Sequence, residues 1–403
     1  MKTLPTIEQL DHDLTPVLRK MEQRGVLLDV KHLQQLAKKL KAEIDEVQAE
    51  IWRKAGHEFT IASPRQLAAV LYDELHLDDG EGFFIRKTKS GKSTAHSELA
   101  KIADAHPIIP LILAYREKTK LLSTYVEPLP KQLGEDGRLH TTYRIDTAAG
   151  RLSSNNPNLQ NIPARTEEGM EIRRAFVAPK GKQLLVVDYS QIDLRVAAHL
   201  SGDPALCEVF RKGEDIHAAT AEKMNVDRRV AKAINFGVLY GQAAFGLSEA
   251  LRISYEEAQA FIDEYFATYP KLKDWVASVQ QSARDKGYAE TLLGRKRYLA
   301  EITGKNATLR AFAERVAINH PTQGTTAEIV GLAMVAIDKE IPESDALMLL
   351  QVHDELVFEI SKKTPRATIQ KIRDIMESIV ELQVPIKTEA KLGPNWAEMK
   401  VID

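Results

Sequence analysis

VDRRVAKAINFGVLYG, residues 226–241, is the stretch that most constrains the fold. In a helix, Arg228, Lys232, Phe236 and Tyr240 recur at steps of four and lie along one slowly drifting stripe. Two cations followed by an aromatic ring and a phenol could bind a polyphosphate and stack on a base. The alternative is a solvated amphipathic helix whose two rings lie in a core. The two glycines of the stretch favour the first interpretation, since glycine weakens a helix and usually permits a close approach.

The composition is that of an ordinary globular protein long enough for a large enzyme of several lobes. The chain has 403 residues, 44% hydrophobic and 28% charged. Its single cysteine, Cys207, excludes a disulfide framework and a cysteine zinc site, and favours a reducing, cytoplasmic compartment. No apolar run approaches the roughly 20 residues that span a bilayer, and the N-terminus lacks a signal-peptide core. The net charge of −2 is not typical of a nucleic-acid binder, although a basic cleft can exist within a neutral total.

The first third of the chain is predicted to be helical. Residues 31–54 carry apolar side chains at spacings of three and four, which predicts a long amphipathic helix packed on an antiparallel partner. Ser63 and Pro64 are typical of a helix start. Residues 79–97 show no periodicity and are cationic, so they form either a solvated loop or a mobile tip that contacts a phosphate backbone. Another helix is predicted over residues 112–126.

Asp188 lies where a predicted strand passes into a helix. Residues 137–163 indicate a strand followed by a long loop of specific turns. The apolar run at residues 184–187 predicts a buried strand, and helical spacing follows Asp188. A carboxylate there is costly unless it is paired or binds a metal. The alternative is a helix N-cap.

The last third of the chain predicts helices, a hairpin and a second acidic turn. Residues 254–257 form a capping box, and TLLGRKRY at residues 291–298 predicts a hairpin. A helix over residues 308–320 should kink or end at Pro321, and a second, buried helix should follow it. Residues 346–360, ALMLLQVHDELVFEI, predict two buried strands with His353, Asp354 and Glu355 between them.

The two acidic positions suggest a metal-dependent phosphoryl chemistry. If their strands are neighbours in one sheet, Asp188 and Asp354 could share magnesium ions. Two such ions roughly 4 Å apart would activate an attacking oxygen and stabilise a leaving one. Arg228 and Lys232 would add a cationic clamp for phosphates.

Six separated motifs resemble those of family A DNA polymerases, of the DNA polymerase I type, in the same order. They are GRLSSNNPNLQNIP, DYSQIDLR, RRVAKAINFGVLYG, TLLGRKRY, ERVAINHPTQGTTAE and QVHDELVFE. The resemblance covers essentially the whole chain. It implies an α+β, right-hand fold with an antiparallel palm sheet, helical fingers and a helical thumb. The implied bounds are a lead-in at 1–30, thumb at 31–130, palm at 131–205 and 295–403, and fingers at 206–294.

The resemblance also implies roles for individual residues. Asp188 and Asp354, with the backbone carbonyl of Tyr189, are expected to bind two Mg²⁺ ions, for which Mn²⁺ can substitute. Lys232 and, with a weaker claim, Glu355 are expected to assist catalysis. The expected nucleotide-binding residues are Gln191, Asp193, His217, Arg228, Lys232, Phe236 and Tyr240. The residues expected to line the primer–template near its terminus, here called the minor-groove set, are Arg151, Arg315, Asn319, Gln323 and His353. Their charge alone, apart from the resemblance, makes further expected DNA-binding residues of Lys87, Lys89, Lys92, Lys118 and Lys120.

The physical reason for the minor-groove set is that every correct base pair presents acceptors there at similar places. Donors such as Arg315, Asn319 and Gln323 can therefore test pair geometry without testing sequence. The implied partners are primer–template DNA and dNTPs. The protein is expected to be a cytoplasmic monomer that does not associate with a membrane.

Three departures from the family pattern matter. Asp193 occupies a position where the family usually has glutamate, which blocks a ribose 2′-OH, so weaker discrimination against ribonucleotides is expected. Ten residues separate His217 from Arg228, fewer than is usual, so the closing motion of the fingers helix could differ. The chain starts just before the thumb, so it is expected to lack proofreading.

Two rival functions share some of these features. A single-subunit RNA polymerase has motifs equivalent to DYSQIDLR, RRVAKAINFGVLYG and QVHDELVFE, but Phe236 and the acidic residue at 193 disfavour it. A catalytically silent DNA-binding protein of the same fold needs neither metal carboxylates nor a triphosphate clamp. A metal-dependent phosphatase or nuclease is a more remote third.

Overall fold

A five-stranded antiparallel sheet lies at the centre of the chain. The computed structural model describes residues 4–77, 85–88, 91–145, 147–164 and 166–402. The strands are β1 (Val26–Leu27), β2 (Lys87–Thr88), β3 (Gly91–Lys92), β4 (Arg138–Leu139), β5 (Thr142–Arg144), β6 (Ser153–Asn155), β7 (Lys182–Tyr189), β8 (Tyr288–Glu290), β9 (Lys296–Tyr298), β10 (Ala346–Val352), β11 (Glu355–Ser361), β12 (Thr388–Gly393) and β13 (Lys400–Ile402). The central sheet has the order β10-β11-β7-β12-β13, and the remaining strands form two-stranded ribbons.

Helices surround this sheet. They are α1 (Ile7–Arg24), α2 (Val30–Ala55), α3 (Pro64–Ala68), α4 (His96–Lys101), α5 (Ile108–Leu121), α6 (Glu167–Arg174), α7 (Ile192–Ser201), α8 (Pro204–Lys212), α9 (Ile216–Met224), α10 (Arg228–Leu239), α11 (Ala244–Leu251), α12 (Tyr255–Thr268), α13 (Pro270–Lys286), α14 (Ala307–Glu340) and α15 (Arg366–Ser378). Short π-helical segments span Ala69–Glu74 and Leu122–Val126, and 3₁₀ turns span Leu129–Gln132 and Ala300–Thr303. Among the described residues, no helix has the length and apolarity that crossing a membrane requires.

Both faces of the central sheet are buried, which explains the unbroken apolar run in β7. Leu185 and Val187 pack with α1, α14 and α15 in one core cluster. Leu184 and Val186 point to the other face and pack with the start of α2 and the segment around Leu129. Alternate side chains of a strand point to opposite faces, so a strand covered on both sides needs apolar residues at consecutive positions.

The long N-terminal helix has the antiparallel partner that its sequence predicts. The partner is α5, since Glu43 of α2 contacts Lys118 of α5 while Gln48 lies near Tyr115, so the numbering runs in opposite directions. Ile51, near the end of α2, and Ile112, near the start of α5, belong to a separate core cluster that also includes Leu67 of α3. The helices form a lobe with its own apolar centre.

A second helical lobe is formed by α8 to α13. Its core contains Phe210, Ile234, Tyr265 and Tyr269, which are all fully buried or nearly so. The predicted capping box opens α12, because the Ser254 side chain accepts from Glu257 N while the Glu257 carboxylate accepts from Ser254 N. The predicted break at Tyr269–Pro270 separates α12 from α13.

The prediction of two helices around Pro321 is wrong. Helix α14 continues through that proline from Ala307 to Glu340. Burial of the residues after Pro321 outweighs the one hydrogen bond that proline removes. Within the segment predicted as a solvated loop or a mobile tip, Lys87–Thr88 and Gly91–Lys92 pair as an antiparallel ribbon, which the sequence did not predict.

Candidate active site

The two predicted metal carboxylates lie at the same end of the central sheet. Asp188 is the second-last residue of β7, and β7 pairs antiparallel with β11 so that Asp188 lies opposite Glu355. Asp354 occupies the turn between β10 and β11. The backbone N–H of Tyr189 donates to the carbonyl of Asp354 at 3.1 Å, which joins the end of β7 to that turn. The structure thus brings together residues 166 positions apart in sequence, and Asp188 is not a helix N-cap, since Gln191 holds that place before α7.

The electrostatics of these carboxylates are unfavourable without a cation. Burial, reinforced by the charges of Asp354 and Glu355, raises the pKa of Asp188 to about 7. Burial also raises the pKa of Asp354 and of Glu355. Within the described residues, neither aspartate forms a salt bridge. The two aspartates are partly buried and unpaired, and carboxylates of this kind are suited to binding a divalent cation.

Glu355 has a different environment from the aspartates. One of its carboxylate oxygens lies 3.7 Å from the guanidinium of Arg173, which itself stacks on the Trp396 ring at 4.1 Å. No group of three or more His, Cys, Asp or Glu side chains arranged to hold a metal is found in the described ranges. The candidate cation site therefore consists of the two aspartates, which suits a magnesium ion that completes its shell with waters and substrate phosphates.

Helix α10 carries the predicted stripe. Asp227 caps its N-terminus by accepting from Arg229 N, and the helix runs to Leu239 with Tyr240 as its C-cap. Phe236 and Tyr240 stack with ring centroids 6.0 Å apart. Lys232 is exposed, and Arg228 donates to Asp215 from Nε at 3.2 Å and from Nη2 at 2.5 Å. The stripe therefore presents two cations and two stacked rings on one face, as its spacing predicts.

His217 joins this stripe from the neighbouring helix α9. Its ring lies 5.4 Å from the ring of Phe236. The residue is only 3% exposed, and burial lowers the pKa of His217. Asp215, the N-cap of α9, is the carboxylate that binds Arg228, so α9 and α10 are tied together at the cationic end of the stripe.

Asp193 connects the stripe to helix α14 and to Arg151. Its Oδ2 accepts from Tyr240 Oη at 2.7 Å and from Arg151 Nη2 at 3.1 Å. Its Oδ1 accepts from Thr326 Oγ1 of α14 at 2.6 Å. Burial and the nearby Asp193 raise the pKa of Tyr240, so the phenol stays protonated as the donor. These bonds hold α7, α10 and α14 around one cleft.

This cleft, of about 300 Å³, collects five of the predicted residues and several that sequence reasoning missed. Arg151, Asp193, Tyr240, His353 and Asp354 line it. The lining residues that were not predicted include Gln160, Thr326 and Gln351. Gln160 Nε2 donates to Gln351 Oε1 at 2.8 Å, and both lie in stretches quoted above as motifs. Their presence in motifs was the available signal. A larger cavity of about 800 Å³, around Glu377–Ile386, contains none of the predicted residues.

Three residues of the minor-groove set, Arg315, Asn319 and Gln323, lie on one face of α14. Arg315 packs against the end of α10, since a Cβ added to Gly241 would lie 3.4 Å from its Cα, and Gly241 has φ +68°. Asn319 Oδ1 is buried without a hydrogen-bond partner in the described part of the chain. Gln323 is partly exposed, one turn further along.

The predicted DNA-binding lysines have unequal environments. Lys118 is ion-paired, because its Nζ lies 2.6 Å from Glu43 and 3.2 Å from Glu168 and joins α2, α5 and α6. A DNA phosphate would have to compete with these two carboxylates. Lys120, two residues on, is exposed. Lys87 is exposed in β2, and Lys92 lies 5.6 Å from the centre of the Tyr72 ring. Lys89 lies outside the described residues.

The antiparallel sheet with its acidic turn, the cationic helix and the two helical lobes define a right-hand polymerase. The family model for DNA polymerase family A matches residues 30–398. The chain belongs to DNA polymerase family A.

Comparisons with individual proteins agree with this assignment. The chain is 48% identical over 406 residues to a thermostable DNA polymerase I of Thermus thermophilus, covering 98% of this chain and 48% of that one. It is 44% identical over 407 residues to DNA polymerase I of Pseudomonas aeruginosa, covering 97% and 44%. It spans about half the length of these curated relatives.

A solved structure also matches. It is the POL domain of Pol1 from M. smegmatis in complex with DNA primer-template and dNTP. The TM-score is 0.91 at 38% identity, with 96% of this chain and 70% of that chain covered. The predicted fold class is confirmed.

Proposed function

We propose that the chain carries out template-directed DNA synthesis, adding dNTPs to a primer 3′-OH. The primer oxygen forms a bond to the α-phosphorus, the bond from that phosphorus to the bridging oxygen breaks, and pyrophosphate leaves. The hydroxyl proton passes to solvent. The observation that carries the proposal is the convergence of Asp188 and Asp354 at one end of the sheet. The end of the α10 stripe, Tyr240, lines the same cleft as Asp354 and donates to Asp193 there.

The aspartates and the backbone carbonyl of Tyr189 would hold two Mg²⁺ ions, for which Mn²⁺ can substitute. When bound, such ions make the attacking oxygen more nucleophilic and stabilise charge on the leaving group. The partly buried, unpaired carboxylates fit this role because a bound cation stabilises the charged form, which burial and the neighbouring carboxylates disfavour by raising the pKa. Glu355, held near Arg173, would support the turn and bind a metal less directly.

The chain's own residues would bind and orient the substrates. Arg228, Lys232 and His217 lie along one end of the stripe and would bind the triphosphate. Phe236 would stack on the incoming nucleotide, and Tyr240 would occupy the place of the templating base. Gln191, at the start of α7, would contact the nucleotide from the sheet side. Release of Arg228 from Asp215 would accompany triphosphate binding, because both anions compete for one guanidinium.

The DNA would lie across the sheet and α14. Arg151, Arg315, Asn319, Gln323 and His353 would contact the primer–template near its terminus. Support comes from the M. smegmatis relative, whose structure is a complex with primer-template and dNTP. The thumb at 31–130, the palm at 131–205 and 295–403, and the fingers at 206–294 would surround the duplex as a monomer, with the lead-in at 1–30 packed on the palm.

The test is primer extension on a defined template with Mg²⁺ and dNTPs, comparing the native chain with Asp354→Asn. Asp104→Asn serves as a matched control, because that aspartate is exposed and far from the cleft in sequence. We expect extension by the native chain and the control, and a loss of about a hundredfold or more in Asp354→Asn. Fluorescence anisotropy with labelled primer–template checks that the variant still binds.

Other outcomes would contradict the proposal. Binding without extension by the native chain would indicate a silent DNA-binding scaffold, and preferential use of rNTPs would indicate an RNA polymerase. For this 403-residue chain, the expectation of synthesis without excision stays a prediction. Removal of a mismatched, labelled primer terminus by the purified chain would contradict it.

A further inference from the structure

Asn235 is a buried polar side chain in the second half of α10, beside Phe236 of the stripe. It is fully buried, as is Thr220 of α9. The Asn235 amide nitrogen lies 3.1 Å from His217 Nδ1 and 3.2 Å from Thr220 Oγ1, and Thr220 Oγ1 lies 3.1 Å from Tyr269 Oη. A buried amide keeps its place only when its donors are used, so this network fixes where the His217 ring lies.

The contact decides which imidazole nitrogen carries the proton. A neutral imidazole has one N–H and one lone pair. If the Asn235 amide donates to Nδ1, the proton must be on Nε2. Nε2 has no hydrogen-bond partner among the described residues, and it is not one of the atoms that are buried without a partner. It is therefore the ring atom left for a ligand.

We propose that Asn235 is a positioning residue that holds His217 in its Nε2–H tautomer, so that the ring donates a hydrogen bond to a phosphate of the incoming nucleotide. The inference rests on the proposed function and deepens it. In the other tautomer, Nε2 would present a lone pair to an anionic oxygen and repel it. The choice of tautomer would then contribute directly to triphosphate affinity.

The surroundings of His217 favour a neutral ring in which the tautomer matters. The charged groups that face it are Asp215 from its own helix, and Arg228 and Lys232 from α10. Burial is the largest influence and lowers the pKa of His217; the two cations lower it further, and Asp215 opposes them. From the α12–α13 junction, the Tyr269 hydroxyl acts only through Thr220.

The first experiment is Asn235→Asp, with KM for dNTP measured from pH 6.5 to 8.5. A carboxylate beside Nδ1 raises the pKa of the ring and, once the ring is neutral, keeps the remaining proton on Nδ1. The variant should therefore bind dNTP well at low pH and poorly at high pH. We expect the ratio of its KM to the native KM to rise about tenfold across this range, the effect of one hydrogen bond to a charged group. In Asn235→Asp/His217→Ala, compared with His217→Ala, the ratio should stay flat.

The second experiment reads the tautomer directly in the native chain. Ring-¹⁵N-labelled histidine distinguishes protonated from lone-pair nitrogens, and the His217→Ala variant assigns the signal. We expect a protonated Nε2 and an unprotonated Nδ1 at pH 7.5, without nucleotide. A protonated Nδ1, or a pH-independent KM ratio in folded Asn235→Asp, would overturn the inference. Absence of extension by the native chain would instead count against the proposed function, since the tautomer measurement needs no activity.

Discussion

Among single residues of the cleft, Asp193 is bound from three parts of the chain. Both of its oxygens are used, by Thr326 on one side and by Tyr240 and Arg151 on the other. The shorter carboxylate is thus bound to α14, and a glutamate would extend further from the backbone. We expect Asp193→Glu to increase discrimination against ribonucleotides by about tenfold, the scale of one methylene at a steric contact.

The measurement for Asp193 is the ratio of kcat/KM for dNTP to that for rNTP, in the native chain and in Asp193→Glu. Thr326→Val is a useful companion, because it removes only the donor to Oδ1 while keeping a similar side-chain volume. Equal ratios in the native chain and Asp193→Glu would show that the shorter side chain does not set sugar selectivity.

Asp188 is expected to make the metal-free fold depend on pH. Its pKa is raised to about 7, above the ordinary value of 3.8. The stability associated with its protonated form is fully present below the ordinary pKa and is lost as pH rises to about 7. We expect the free energy of unfolding in EDTA to fall by a few kcal/mol between about pH 4 and 7 in the native chain, and by less in Asp188→Asn. Urea titrations at pH 4.5 and 7.5 check this, with Asp104→Asn as the control that should match the native chain.

Residue identities were predictable where chemistry restricts the choice. Asp188 and Asp354 stood out because a carboxylate in an apolar stretch needs a cation or a partner. Thr326 and Gln351 did not, because a threonine or glutamine in a predicted helix or strand has many ordinary roles. The ion pairs of Lys118 with Glu43 and Glu168 were not predictable, because a lysine has the same appearance in sequence whether it is exposed or paired.

At the scale of elements, periodicity predicted the long helices and the paired strands. It predicted α2 nearly to its ends and the β10–β11 turn, since both patterns extend over many residues. The predicted division into two helices at Pro321 was wrong because tertiary burial outweighs local backbone preference there. The ribbon of β2 and β3 was missed because two-residue strands carry no periodicity.

The capping box of α12 gives a test at this scale. Ser254→Ala removes the acceptor for Glu257 N and the hydroxyl that donates to the Glu257 carboxylate, while the backbone N–H of residue 254 can still donate to it. We expect a loss of about 1 kcal/mol in the free energy of unfolding. The double variant with Glu257→Ala should lose less than the sum, since both residues form one unit. Glu256→Ala, an exposed neighbour in the same first turn, should cost only a few tenths of a kcal/mol. An additive double variant would mean that the two bonds act independently.

At the scale of the whole molecule, the proposed binding of DNA, a polyanion, has to be compatible with a net charge of −2. The structure does this by pairing many cations with carboxylates and leaving others exposed. On α5, Lys118 forms ion pairs with Glu43 of α2 and Glu168 of α6, whereas Lys120 in the same last turn is exposed to solvent. Total charge therefore says little about the surface that DNA would meet, and the distribution of unpaired cations says more.

These two lysines form a matched pair for testing the DNA-binding surface. Each phosphate contact releases counterions, so the logarithm of the affinity falls linearly with the logarithm of salt concentration, with a slope set by the number of contacts. We expect Lys120→Ala to weaken primer–template binding and to reduce that slope by about 1. Lys118→Ala should leave the slope unchanged but lower the free energy of unfolding by about 1 kcal/mol, because Glu43 and Glu168 lose their shared partner. Anisotropy titrations from 50 to about 300 mM salt, with parallel urea unfolding, measure both quantities. A reduced slope in Lys118→Ala with an unchanged fold would return that lysine to the DNA-binding set.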